Sequence, residues 1–196
     1  MTPRLFALLI LSASPAWAQH IEITPLVTYR TSADIEQKAA GVEELAIDGG
    51  VTWGAQATWF VTSRMGVEAL WTTQSTAVSL STTSGSAELF RLRAHQILAN
   101  FVVPLGGGTT RLRPFVFGGV GATVFDAPAL ERETHASWTI GGGVTWLVAP
   151  HVGVKTLARY TPTVVSDTSS RVCDPFGFCQ GTLNAFEVAG GAAFRF

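Results

Sequence analysis

Residues 183–196 read LNAFEVAGGAAFRF, and apolar side chains recur at every second position up to the terminal phenylalanine. Successive side chains of a β-strand point to opposite faces. A strand here would have one apolar face that ends in Phe194 and Phe196, and one face that carries both charges, Glu187 and Arg195. The apolar face needs a cover, which is either a protein core or lipid. We interpret it as facing lipid, with the charged face lining the inside of a closed barrel.

The same alternation recurs along the rest of the chain, and it predicts seven more strands. The pattern is ambiguous in residues 88–103 and 113–125. In the first of these, either a bulge shifts the register or the upper half stands above the lipid, where both faces can be polar. The eight predicted strands are residues 21–30, 50–61, 65–74, 88–103, 113–125, 137–148, 152–161 and 183–196.

The connections between these strands alternate between short and long. Short periplasmic turns and longer external loops are typical of outer-membrane barrels, which have an even number of strands. The sequence therefore predicts an all-β fold, an eight-stranded antiparallel up-and-down transmembrane β-barrel with both termini in the periplasm. The predicted loops are residues 31–48, 76–87, 126–136 and 163–182.

The composition agrees with a membrane barrel. Hydrophobic residues make up 47% of the chain and charged residues 14%, against about 25% charged in an ordinary soluble domain. After residue 18 the sequence contains no apolar run of the ~20 residues that a membrane-spanning helix needs. The formal net charge of −1 favours no nucleic-acid partner. A soluble β-sandwich with its tryptophans in the core stays an alternative.

Residues 1–18 have the layout of a cleaved secretory signal peptide. Arg4 is followed by an apolar run from Leu5 to Leu11, and the segment ends in Ala16-Trp17-Ala18. This predicts a mature barrel domain of residues 19–196. The alternative is a membrane anchor that stays attached.

Aromatic residues on the predicted lipid face indicate two girdles. Trp138 and Trp146 lie on one face of a strand, eight residues apart. At ~3.3 Å per residue and a tilt near 40°, their separation along the membrane normal is about 20 Å, close to the height of an apolar band. The predicted girdle consists of Tyr29, Trp53, Trp59, Trp71, Trp138, Trp146 and Tyr160.

Charged residues at the opposite positions are predicted to line the lumen. An eight-stranded interior is just wide enough for side chains to fill it, and charges there should pair because isolated buried charges are costly. We interpret them as a network that closes the barrel, and a gated small-ion pore is the alternative. The network consists of Glu22, Arg30, Glu68, Lys155, Arg159, Glu187 and Arg195.

Other reactive side chains are few. Cys173 and Cys179 enclose DPFGF and are predicted to form a disulfide in an oxidising compartment. It would stiffen the last loop or display a contact for a host or phage surface. His135 and Ser137 share a strand face, but the same parity points Ser137 away from a lipid substrate, and no carboxylate follows at strand spacing. We therefore predict no enzyme, metal site or cofactor.

The strand count, the signal peptide and the terminal Phe together resemble small bacterial outer-membrane β-barrels of the OmpA-like and opacity-protein type. The resemblance covers the whole predicted mature chain, and the opening strand through Tyr29-Arg30 is similar as well. It implies that Gly191, Phe194 and Phe196 form the signal read by the barrel-assembly machinery. Ala189 departs from the pattern, because a polar residue is expected there.

The resemblance also implies a monomer in the bacterial outer membrane, in contact with lipid and lipopolysaccharide. The predicted role is envelope structure or surface interaction, such as adhesion, through the external loops. A small-solute or ion pore is the first alternative. A periplasmic lipocalin-like ligand carrier is the second.

Overall fold

The computed structural model of the chain describes residues 20–31, 33–35, 44–47, 49–82, 85–106, 111–126, 132–165 and 181–196. In these ranges it contains ten β-strands. They are β1 (His20–Arg30), β2 (Ala33–Ile35), β3 (Glu44–Ile47), β4 (Gly50–Thr62), β5 (Met65–Thr82), β6 (Gly85–Pro104), β7 (Leu112–Asp126), β8 (Glu133–Ala149), β9 (Val152–Val165) and β10 (Gly181–Arg195).

Eight of these strands close into an antiparallel barrel. The order is β5-β4-β1-β10-β9-β8-β7-β6, and a β5–β6 pairing closes the circle. β2 and β3 form a hairpin that pairs with the far end of β5 through β3. The predicted fold class and strand number are confirmed. Within the described ranges, no helix is long and apolar enough to span a membrane.

The barrel has two unlike ends. β4 meets β5, β6 meets β7 and β8 meets β9 at one end, where His20 and Phe196 also lie. We call this end the turn side. The opposite end, where β1 finishes at Arg30, is called the loop side.

The predicted loop boundaries were wrong on the loop side. Residues 31–48 include β2 and β3, and β5 and β6 fill most of residues 76–87. β8 begins at Glu133, inside the third predicted loop, and β9 continues to Val165, inside the fourth. Polar Ser and Thr residues mislead here, because a ladder of backbone hydrogen bonds holds a strand together without an apolar face, and Thr itself favours strands.

The register of the two ambiguous strands is continuous through the barrel wall. β6 and β7 pair from Arg93↔Asp126 to Pro104↔Phe115 without a shift. A bulge does lie in β6, where the β5 partners shift between Val78 and Ser79, but it is beyond this stretch. Arg93 therefore stays on the outward face with Ile97.

The centre of the barrel is more apolar than predicted. The interior contains a buried cluster that includes two stacked rings of β7, with centroids 6.1 Å apart. Alternation in β7 was hidden by its glycines, so these inward phenylalanines were not assigned from sequence. The cluster consists of Leu26, Leu70, Leu98, Val102, Phe115, Phe117, Leu157 and Ala189.

Candidate functional site in the barrel lumen

The charged residues predicted to line the lumen lie inside the barrel and form two groups. Strand parity places them, because β1, β9 and β10 each point every second side chain inward. The turn-side cluster consists of Glu22, Glu68, Lys155 and Arg195. The loop-side cluster consists of Arg30, Arg159 and Glu187.

Lys155 is the centre of the turn-side cluster. Its Nζ lies 3.2 Å from Glu22 Oε1 and 3.4 Å from Glu68 Oε2. Arg195 Nη2 lies 3.3 Å from the second oxygen of Glu22. Only 2% of Lys155 is exposed. Two carboxylates and two cations thus balance in this layer.

Glu68 also accepts hydrogen bonds from neutral side chains. Asn100 Nδ2 donates at 2.9 Å and Gln56 Nε2 at 3.0 Å to Oε1, and Thr58 Oγ1 donates at 3.0 Å to Oε2. These partners come from β4 and β6, which pair with β5 on either side. The buried carboxylate is therefore well satisfied, as a buried charge must be.

In the loop-side cluster, two arginines share one carboxylate. Arg30 Nε donates to Glu187 Oε1 at 2.7 Å, and Arg159 Nε donates to Oε2 at 2.5 Å. Arg30 extends further to Gln74 Oε1 at 3.0 Å and Gln96 Oε1 at 3.4 Å. The amide oxygens stabilise a layer that carries one more positive than negative charge.

An apolar layer separates the two charged clusters. In β1, Leu26 lies between Glu22 and Arg30, and in β9, Leu157 lies between Lys155 and Arg159. These leucines are 2% and 3% exposed. The lumen is thus filled by charge, hydrocarbon and charge again. A hydrated ion would have to displace all three layers.

A group of hydroxyls lies nearer the loop side. Ser137 Oγ is 2.7 Å from Thr123 Oγ1 and 2.9 Å from Thr163 Oγ1. His135 Nε2 instead lies 3.3 Å from Glu133 Oε2. Sequence reasoning missed Glu133 because it precedes the His–Ser pair, whereas a carboxylate was expected after it. The Ser137 hydroxyl bonds other hydroxyls, so the geometry does not couple it to His135 as a nucleophile to its base.

The aromatic residues predicted as a girdle lie on the outward face. Tyr29, Trp53 and Trp146 are 60%, 62% and 56% exposed, and Trp59, Trp71 and Trp138 are exposed as well. Tyr160 is half-buried. Its ring lies edge-on to Trp138, with centroids 5.9 Å apart, and its hydroxyl donates to Asn184 Oδ1 at 2.7 Å.

The residues predicted as the assembly signal lie at the end of β10. Phe194 and Phe196 point outward, and Phe196 is 71% exposed. Gly191 points inward against β1, where an added Cβ would lie 3.0 Å from side-chain atoms of Leu26 and Thr24. Recognition of these residues by an assembly machinery stays a prediction.

Two predictions lie outside the described residues. Cys173 and Cys179 fall in residues 166–180, and the predicted signal peptide falls in residues 1–19. In the ranges that are described, no group of three His, Cys, Asp or Glu side chains is arranged to hold a metal ion.

No protein-family model matches the sequence, and no curated protein matches it. Solved structures do match the fold. The crystal structure of Neisserial surface protein A has a TM-score of 0.63 at 9% identity, covering 90% of this chain and 97% of that chain. The outer-membrane protein OprG from Pseudomonas aeruginosa has a TM-score of 0.63 at 16% identity, with 91% and 96% covered.

A third solved structure was determined with a ligand. The attachment invasion locus protein Ail of Yersinia pestis, in complex with the heparin analogue sucrose octasulfate, has a TM-score of 0.53 at 11% identity, with 92% of this chain and 100% of that chain covered. At these identities the likeness concerns architecture. The chain therefore has the fold of small eight-stranded bacterial outer-membrane β-barrels.

Proposed function

We propose that this chain is an integral, monomeric β-barrel of the bacterial outer membrane that acts through its loop-side surface, and that its lumen is a structural plug. The turn side would then face the periplasm. The partners would be lipid and lipopolysaccharide around the wall, the barrel-assembly machinery during insertion, and a host or phage ligand at the loop side. The observation that carries this proposal is the inversion of polarity, with paired charges inside and apolar side chains outside.

The outward surface supports the membrane location. Large apolar residues are exposed on every barrel strand, among them Val27, Ile97, Val120, Ile140 and Val188, which are 44% to 66% exposed. A continuous apolar surface of this kind is a liability in water. It is the surface that a barrel needs in hydrocarbon, where backbone groups are already paired between strands. A soluble lipocalin-like carrier would have the opposite arrangement.

The lumen argues against the pore. Each of the seven charges is paired, and an apolar layer built from described residues of five strands fills the space between the two clusters. We expect the protein to show no stable conductance in planar bilayers. A steady open channel whose conductance changes in both Glu68→Gln and Arg159→Gln would favour the pore instead.

The loop side supports a role in contact. β5 and β6 continue to Thr82 and from Gly85, so their hairpin extends beyond the first pair of β6 with β7, at Arg93. The β2–β3 hairpin widens this sheet on the side of β5. Such an extension offers backbone and side chains above a membrane. Ail, which shares this architecture, is an attachment invasion locus protein and was crystallised with a heparin analogue, which makes adhesion the first activity to test.

The experiment compares bacteria that carry the full chain with bacteria that carry a variant in which residues 166–180 are replaced by a short Gly/Ser linker. Both proteins should fractionate with the outer membrane and migrate on gels in a heat-modifiable way. We expect the variant to lose adhesion to host cells or phage adsorption. A matched variant with the linker inserted at the turn side, after Ser63, should retain both. Unchanged binding in the loop variant and in a second variant that lacks residues 36–43 would overturn the surface role.

Recovery of the heat-stable protein in the soluble periplasmic fraction would overturn the membrane location as well. This outcome is separate from a failure of adhesion, because it is read from fractionation alone.

A further inference from the structure

The turn side of the lumen contains a cavity that the proposed function does not use. Its volume is about 250 Å³, and it opens between the β4–β5 turn and the start of β7. The turn-side cluster forms its inner end through Glu22, Lys155 and Arg195. It lies below the apolar layer, so it is a pocket in one mouth of the barrel and no part of a channel.

Cations outnumber carboxylates around this cavity. Lys155, Arg113 and Arg195 line it together with one carboxylate among the described residues, Glu22. Even when Glu68, which contacts Lys155 from behind, is counted, there are three cations for two carboxylates. Arg113 also lies close enough to feel the charges of both Arg195 and Glu22. The described lining of the cavity thus carries more positive than negative charge.

The rest of the lining is apolar and aromatic. Phe60, Val102, Leu105, Leu112 and Phe115 contribute to the wall. Two rings also contact the cations: Lys155 Nζ lies 4.9 Å from the Phe115 centroid, and Arg195 Cζ lies 5.5 Å from the Phe60 centroid. These cation–π contacts hold the cations in place beside the cavity. A ligand here meets positive charge at one end and hydrocarbon along its length.

We infer that this cavity is a binding site for a small amphipathic carboxylate, whose anionic head pairs with the cations and whose apolar or aromatic body lies against Phe60 and Phe115. The planar guanidinium of Arg113 suits a carboxylate, because it can donate two parallel hydrogen bonds. One carboxylate matches the difference between cations and carboxylates counted above. A phosphate would bring more charge and nothing to fill the apolar wall. The site is independent of the loop-side surface and does not depend on the proposed function.

The test uses the full mature barrel in lipid nanodiscs and para-fluorophenylpropanoate as the probe, followed by fluorine NMR. The uncharged amide of the same molecule reports partitioning into lipid. We expect saturable broadening and a shift of the carboxylate signal, and only unsaturable partitioning of the amide. Saturation by both probes with equal affinity, or by neither, would overturn the site.

Charge variants locate the probe. Arg113→Gln should weaken binding about tenfold, which is the loss expected for one charge-assisted hydrogen bond, and Arg113→Lys should weaken it less. Arg64→Gln is the matched control, because it removes the same charge from the exposed β4–β5 turn and does not line the cavity. Equal affinity of Arg113→Gln and Arg64→Gln would place the probe elsewhere and contradict the inference.

A second pair of measurements tests the apolar wall. Phe60→Ala should weaken binding of the fluorophenyl probe severalfold while leaving the weak competition by acetate unchanged. Each variant is used only if its heat-modifiable migration matches that of the unchanged protein. Displacement of the probe by inorganic phosphate at the same concentration as by phenylpropanoate would show a general anion site and overturn the assigned ligand class.

Discussion

Arg30 and Glu187 face each other across the seam between β1 and β10, and Arg30 Nε donates a 2.7 Å hydrogen bond to Glu187 Oε1. The two residues are 157 positions apart in sequence. Their ion pair therefore joins the first and last barrel strands. Arg159 of β9 contacts the same carboxylate, so one side chain ties three neighbouring strands together.

Glu187→Gln should strongly destabilise the barrel. It leaves Arg30 and Arg159 as neighbouring cations in a low-dielectric interior, and removal of one partner from a buried ion pair costs about 3–5 kcal/mol. The measurement is urea unfolding in lipid vesicles, followed by tryptophan fluorescence. The control is Asp126→Asn, which breaks the exposed pair with Arg132 and should cost at most about 1 kcal/mol. Similar losses in both variants would show that the loop-side cluster does not stabilise the barrel.

The lipid face should reject a charge according to depth. Ala57 is exposed on β4 between Trp53 and Trp59, and Val61 lies beyond Trp59 toward the turn side. Ala57→Arg should destabilise the inserted protein by about 2–4 kcal/mol and Val61→Arg by about 0–1 kcal/mol, because the cost of a charge falls from the bilayer midplane to its interface. Folding into vesicles measures both. Equal costs would mean that this face of β4 does not cross a bilayer.

The inward glycines of β7 should not tolerate a methyl group. A Cβ on Gly121 would lie 2.7 Å from Leu98 Cα, in the backbone of β6. Gly121→Ala should therefore destabilise by about 1–3 kcal/mol, as overpacking does. Gly118 of the same strand points outward, and its nearest neighbour to an added Cβ is Thr139 O at 3.5 Å. Gly118→Ala should leave the urea midpoint unchanged, and the prediction fails if the two variants unfold alike.

Cys173 and Cys179 should be oxidised in protein isolated from outer membranes. The physical reason is an oxidising envelope together with a short enclosed loop that contains Pro175 and Gly177. Mass spectrometry after alkylation without reductant should find no modified thiol, and two after reduction. Alkylation of either cysteine before reduction would contradict the disulfide. The double variant Cys173→Ser, Cys179→Ser should still assemble, because the barrel strands that flank the pair end at Val165 and begin at Gly181.

Strand position and facing could largely be predicted from the sequence. In β4, Val51, Trp53 and Trp59 are exposed while Thr52 and Thr58 are buried, as alternation predicts. Prediction failed in two places with identifiable causes. Thr and Ser residues near Thr82 hid the length of β5, and the glycines of β7 removed the side chains that show alternation around Phe117.

The partners of the lumen charges could not be predicted. Lys155 and Glu22 are 133 positions apart, and they meet because β9 and β1 both pair with β10. No spacing rule links such residues. Likewise, the turn-side cavity arises only where β4, β6, β7 and β10 converge, and Arg113 was not singled out in the sequence because its strand had no clear facing.

The sequence by itself determined that this chain forms strands, how many of them close the barrel and which side chains point outward. These properties follow from a two-residue period, which is local and needs no knowledge of neighbouring strands. Only the tertiary structure decided which carboxylate meets which cation, that hydrocarbon divides the lumen into two charged layers, and that one mouth holds a positively charged pocket. Those properties depend on register and closure, because side chains that are distant in sequence come to the same depth only when every strand has found its partner.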